Sequence, residues 1–257
     1  MEEMRTGTAQ REPEPSGGVT SLLGGVFVDP KATFESVAAR TSVPHPTDPS
    51  KTRDNTMWWI PLLILIVVSV VTVALVVVPY VAGPAAEEGI RQSIMEGGGT
   101  EADVQRLVEQ SAPFIMPFSI LGGVLQSVAM LFIVAGILHL LMKLMGGKAS
   151  FRGARAVTAY SMLITALGSA IKVPFMMAKE SLFVETGPVI FFQNLEPSDR
   201  LYGFLFTGFD VFTLWWLAVL GIGAAVVYRT SKAKGFTAAV IIWLLYSLVG
   251  MFQQGGG

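Results

Sequence analysis

No cysteine occurs in the 257-residue chain, which excludes disulfides, thiolate metal sites and a cysteine nucleophile. Histidine is nearly absent too. His45 and His139 could complete a metal centre only with distant carboxylates, so no metal is expected. The signatures His-Glu-x-x-His, Gly-x-Ser-Gly and Gly-x-x-x-x-Gly-Lys-Ser/Thr are missing, and with them the usual marks of zinc, serine-nucleophile and P-loop chemistry. Charged residues make up only 14% of the chain, against roughly 25% in soluble domains. The net charge of -1 hides a segregation of acidic and basic stretches and says nothing by itself about partners, and nucleic acid is not an expected one. No cofactor is expected, and the chain reads as a non-enzyme.

What is abundant is apolar surface, 52% of residues, gathered into five blocks at about 57–82, 117–142, 156–178, 201–228 and 236–252. The first block lacks any ionisable group for 26 positions, which at about 1.5 Å per residue exceeds the roughly 30 Å hydrocarbon core. Trp58, Trp59 and Tyr80 mark its two interfaces. The fifth block, of 17 residues, spans only just. The segment before block one and the loops after blocks two and four hold 13 of the 18 Lys and Arg residues. Because Lys and Arg are retained on the cytoplasmic side, this alternation predicts an all-α membrane protein with five transmembrane helices, a cytoplasmic N-terminus and an outer C-terminus. An apolar stretch begins only near Met57, so the first span is expected to act as its own insertion signal, with no cleavable leader. No internal repeat is visible, and an odd helix count does not divide into two inverted halves, which speaks against the usual secondary-transporter plan.

Outside the blocks, residues 1–18 mix charge, Pro and Gly without periodicity and read as a disordered tail, and residues 253–257 as a second short tail. Residues 19–56 form a cytoplasmic leader in which Asp29 can cap a short helix with Pro30 at its first position and Phe34, Val37 and Ala38 on one face. That helix either lies along the inner membrane surface or packs on the loops. Residues 83–113 read as an acidic helical hairpin on the outer side, with Thr100 and Asp103 as a capping box. In the last outer loop, Val189, Ile190, Phe191 and Phe192 are expected to dip back toward the interface.

Two charges fall inside the blocks. Asp210 lies about 13 Å and Lys172 about 10 Å from the outer end of its span, so the two could meet. An intramembrane ionisable group is a functional-site hypothesis by default, here ion or proton coupling, against a structural ion pair or an Asp bonded to Thr207 or Thr213. Thr207-Gly208-Phe209-Asp210 faintly resembles a membrane aspartyl protease motif, but no second membrane carboxylate completes a dyad. His139, four residues before Lys143, could contact headgroups or sense pH, or be a plain interfacial residue. Lys143, Lys148, Arg152, Arg155, Arg229, Lys232 and Lys234 could attract anionic lipid at about 1 kcal/mol each, although fixing topology is a sufficient role for them. Small residues recur every fourth position at Ser119, Gly123 and Ser127, at Ala166 and Ala170, and at Gly221 and Ala225, which suits close helix packing within the chain or with a partner.

The leader Val26-Phe27-Val28-Asp29-Pro30 through Arg40, the five blocks, and the Gly146-Gly147-Lys148-Ala149-Ser150-Phe151-Arg152 junction leading to Ala159-Tyr160, with Pro174 late in block three, resemble the Yip1 family in its bacterial form over about residues 21–252. The resemblance implies five spanning helices, a cytoplasmic N-terminus and no enzymatic activity. Eukaryotic members bind prenylated small GTPases, and bacterial members have a suggested role as accessory partners of membrane transporters. The expected function is therefore a non-enzymatic interaction or accessory protein of a bacterial plasma membrane, whose partners are lipids and other membrane proteins or further copies of itself. The alternative is a small transporter or channel subunit using Asp210 and Lys172.

Overall fold

The structure is a computed structural model that describes residues 18–44, 48, 52–179, 181–182, 184–192, 194–195 and 199–254. Apart from Gly18, the expected tail over residues 1–18 lies outside these, as do His45 and residues 255–257. Helices dominate the described residues, whose only strands are one antiparallel pair of two residues each, β1 (Val43–Pro44) and β2 (Thr52–Arg53), with Val43 opposite Arg53. Among the described residues four helices are long and apolar enough to cross a bilayer, and the count is five when one bent pair is taken as a single span.

The leader forms α1 (Val19–Val28) and α2 (Pro30–Arg40). Asp29 accepts from the Ala32 amide at 3.0 Å and Pro30 opens the helix, so the turn between them is set by local chemistry. The structure packs this leader on the helix bundle. Leu22, Val26, Phe34 and Val37 join the main apolar core. The Phe34 ring lies where α10 (Val211–Val227) carries Gly223, and a Cβ there would come within 2.7 Å of the ring. Phe27 meets Trp215 edge-on at 5.9 Å, so the leader follows α10 over the eight residues from Gly223 to Trp215, about 12 Å.

The first span runs Trp59–Val81 as α3 (Trp59–Thr72), a π-turn (Val73–Val77) and α4 (Val78–Val81). Pro79 has no amide hydrogen and its ring crowds the preceding turn, and the Val78 amide bonds back to Val73, five residues away. Trp59, Leu63, Val67, Val71 and Leu75 form an exposed ridge at every fourth residue, as a lipid-facing helix requires.

The acidic hairpin is α5 (Pro84–Glu96) and the start of α6 (Glu101–Leu144). The Thr100 hydroxyl accepts from the Asp103 amide while the Asp103 carboxylate accepts from the Thr100 amide, which closes the capping box. Arg91 is held by Glu87, Glu88 and Glu101. The sequence pattern starts block two at Pro117, but the helix is continuous from Glu101 for 44 residues, about 66 Å, and therefore projects beyond the bilayer. Pro113 and Pro117 each remove one ladder bond without ending it.

Block three is α7 (Phe151–Ser161) and α8 (Leu163–Lys179), joined at Met162. Block four is broken, with α9 (Arg200–Gly208) and α10 meeting at 55°. Block five, α11 (Lys232–Gln254), is 23 residues long, because the basic stretch that delimits it by hydropathy already lies in the helix. Leu131, Val134, Leu138 and Met142 of α6 form one helical stripe that packs with Ala156, Val157 and Tyr160 of α7 and Trp216, Val219, Leu220 and Ala224 of α10.

Phe34→Ala should lower stability by about 3 kcal/mol or more in a denaturant or thermal melt of the detergent-solubilised chain. Exposed Glu35→Ala on the same helix should change it by less than about 0.5 kcal/mol.

Candidate functional site

The break in block four gathers the chain's intramembrane charges. Asp210 is the N-cap of α10, where its Oδ1 accepts from the Phe212 and Thr213 amides at 2.9 and 3.1 Å. Its Oδ2 accepts from Lys172 Nζ of α8 at 2.6 Å and from the Thr186 hydroxyl of the loop between α8 and α9. Both charged side chains are sheltered, Lys172 at 17% and Asp210 at 8% exposure. On the other side of the break the Gly208 carbonyl accepts from Trp243 Nε1 of α11 at 2.6 Å. The bonds to the Phe212 and Thr213 amides and to the Gly208 carbonyl answer the cost of leaving backbone polar groups bare in hydrocarbon.

The loop between α8 and α9 is fastened here. Gly187 follows Thr186, and a Cβ on it would lie 2.5 Å from the Phe209 carbonyl oxygen, so only glycine lets the loop sit this close. Glu185 accepts from the Tyr202 hydroxyl of α9 at 3.0 Å. The apolar run beyond it is a 3₁₀ turn (Pro188–Phe191), with Val189 buried and Phe191 exposed. The Lys172 and Asp210 of the sequence reading are thus in contact. Thr207 is not bonded to Asp210, and Thr213 contributes its backbone amide rather than its hydroxyl. Thr186 was not legible in advance because a loop threonine carries no periodic signal, although its glycine neighbour in an apolar loop hinted at close packing.

At the opposite end of the bundle, His139 Nδ1 lies 2.7 Å from the Tyr228 hydroxyl and its ring meets Phe151 edge-on at 5.8 Å. The cations there divide into two groups. Arg155 pairs with Asp54 at 2.7 Å and lies 4.2 Å over the Trp58 ring, while Tyr160 donates to the Thr56 carbonyl at 2.9 Å. Lys234 donates to the Met145 carbonyl at 2.7 Å, closing the end of α6. These two cations therefore serve the fold. Lys143, Lys148, Arg229 and Lys232 are exposed, and Arg152 is half-buried.

Several residues of the small-residue stripes pack within the chain. A Cβ at Gly123 would lie 3.0 Å from Ser69 Oγ of α3, and one at Gly221 would lie 3.0 Å from the Phe236 ring of α11. Ser127 is buried and donates to the Gly123 carbonyl, Ser119 is half-buried, and Ala225 lies under Gly235. Ala166 is buried, whereas Ala170 faces outward. Among the described residues no three His, Asp or Glu side chains converge on a metal position.

Five apolar helices around a capped break, with a basic end, define a polytopic membrane protein. The Yip1 domain matches residues 24–252, and the chain belongs to that family. It is similar to the membrane protein YknW of Bacillus subtilis (strain 168), with 23% identity over 253 residues that cover 98% of this chain and 94% of that one. No solved structure matches it.

Removing one partner of a buried pair leaves the other charge uncompensated. Asp210→Asn should therefore cost about 3 kcal/mol in a thermal melt, and Asp210→Asn combined with Lys172→Met should recover most of the loss.

Proposed function

We propose that this protein is a non-enzymatic interaction protein of the bacterial plasma membrane, an accessory to other membrane proteins, with its N-terminus and basic end in the cytoplasm. The observation that supports this reading is how the charges are used. Lys172 and Asp210 neutralise one another and cap a helix, whereas Lys143, Lys148, Arg229 and Lys232 remain exposed at the basic end. Charge is committed to the fold inside the bundle, while these four cations stay exposed at the basic end. Similarity to a protein named only as a membrane protein agrees with action within a membrane.

The second reading, a transporter or channel subunit, draws on the break at Asp210, since discontinuous helices often frame ion sites. Proteoliposome flux that disappears in the Asp210→Asn, Lys172→Met double variant would favour it. Co-purification of one stoichiometric membrane partner that survives the double variant favours the accessory role.

The cysteine-free background allows the orientation to be read directly. Ser231→Cys in the loop before α11 should react with an impermeant maleimide only after the cells are opened, and Gly98→Cys in the acidic hairpin should react in intact cells. The reverse pattern would overturn the proposed orientation.

A further inference from the structure

Gln126 stands about 13 Å along α6 from Pro117, with apolar sequence on both sides. Its side chain is exposed on the outside of the bundle, and neither its amide N–H nor its carbonyl has a partner among the described residues. In a bilayer the medium there is hydrocarbon, and the side chain is too short to reach an interface. An amide in that place needs a partner from another chain.

The surface around it has the form of a helix-docking seam. Gly122, Gln126, Ala129, Ile133, Gly136 and Leu140 are all exposed and follow one another at alternating steps of four and three residues. That is a 3.5-residue repeat, which suits a left-handed helix pair. A Cβ at Gly122 or Gly136 would meet nothing within 4 Å, so these glycines serve no packing inside the chain. Gly123, one residue and about 100° further round the helix, is the one that faces α3.

We infer that this seam pairs with the same seam of a second copy of the chain, α6 against α6 in parallel, with the two Gln126 amides bonded across the two-fold axis. A carboxamide both donates and accepts, so it complements itself, and a two-fold interface places like residues together. Copies inserted with one topology present their seams in the same direction. This deepens the proposed interaction role and rests on it.

The test uses the full chain in membranes, where single cysteines have no competitor. Ala129→Cys under mild oxidation should give a disulfide-linked dimer at least about ten times more readily than Val67→Cys on the lipid-facing ridge of α3, since a disulfide needs Cα atoms within about 7 Å. Adding Gln126→Leu should lower dimer yield by about 3- to 10-fold, and adding Gly122→Ile should abolish it. Equal cross-linking at Ala129 and Val67, or a product whose mass is not twice 27.6 kDa, overturns the pairing. If cross-linking fails while a stoichiometric membrane partner still co-purifies, the seam is refuted and the accessory role stands. If both fail, that role falls with it.

Discussion

Backbone amides and carbonyls have no water to turn to inside a bilayer, and the break between α9 and α10 is where this chain must answer that constraint. One carboxylate does most of it. Asp210 terminates the bare amides of α10, holds the ammonium of α8 and takes the hydroxyl of the loop between α8 and α9, while Trp243 closes the last carbonyl of α9 from α11. Four segments far apart in sequence therefore share one polar knot. Lys172 is in turn what makes an ionised Asp210 tolerable in that position, so the pair and the break depend on each other.

The other end of the bundle is held by different means. There the leader supplies apolar side chains to a core that the spanning helices leave open, and Phe34 occupies the space that Gly223 lacks a side chain to fill. The Arg155–Asp54 pair under Trp58 and the Tyr160–Thr56 bond fasten the connection from the leader into α3. Thus a segment that hydropathy would leave outside the membrane domain is continuous with its core. The family match beginning at residue 24 agrees with this.

Much of the architecture could be read from the chain because the bilayer imposes a coarse and one-dimensional code. Apolar length gives the spans, and Asp29 or Thr100 with Asp103 give helix starts through bonds to neighbours three residues away. The break at Asp210 was hidden because hydropathy averages over it, even though Gly208 and a capping residue stood two positions apart. The leader's docking and the Thr186 contact were hidden because they join residues far apart in sequence. Small residues were visible as a class, but not their direction. Gly122 and Gly123 read alike in the sequence, and only the helix's rotation tells which faces lipid and which faces α3.

The 44-residue α6 carries a mechanical consequence. It is one unbroken rod of about 66 Å, with the acidic hairpin folded onto one end and the Lys143–Lys148 turn at the other. Pivoted at its middle by a tilt of about 10°, such a rod moves its two tips by about 6 Å in opposite directions. The acidic hairpin and the Lys143–Lys148 turn are thereby tied to one another through a single helix.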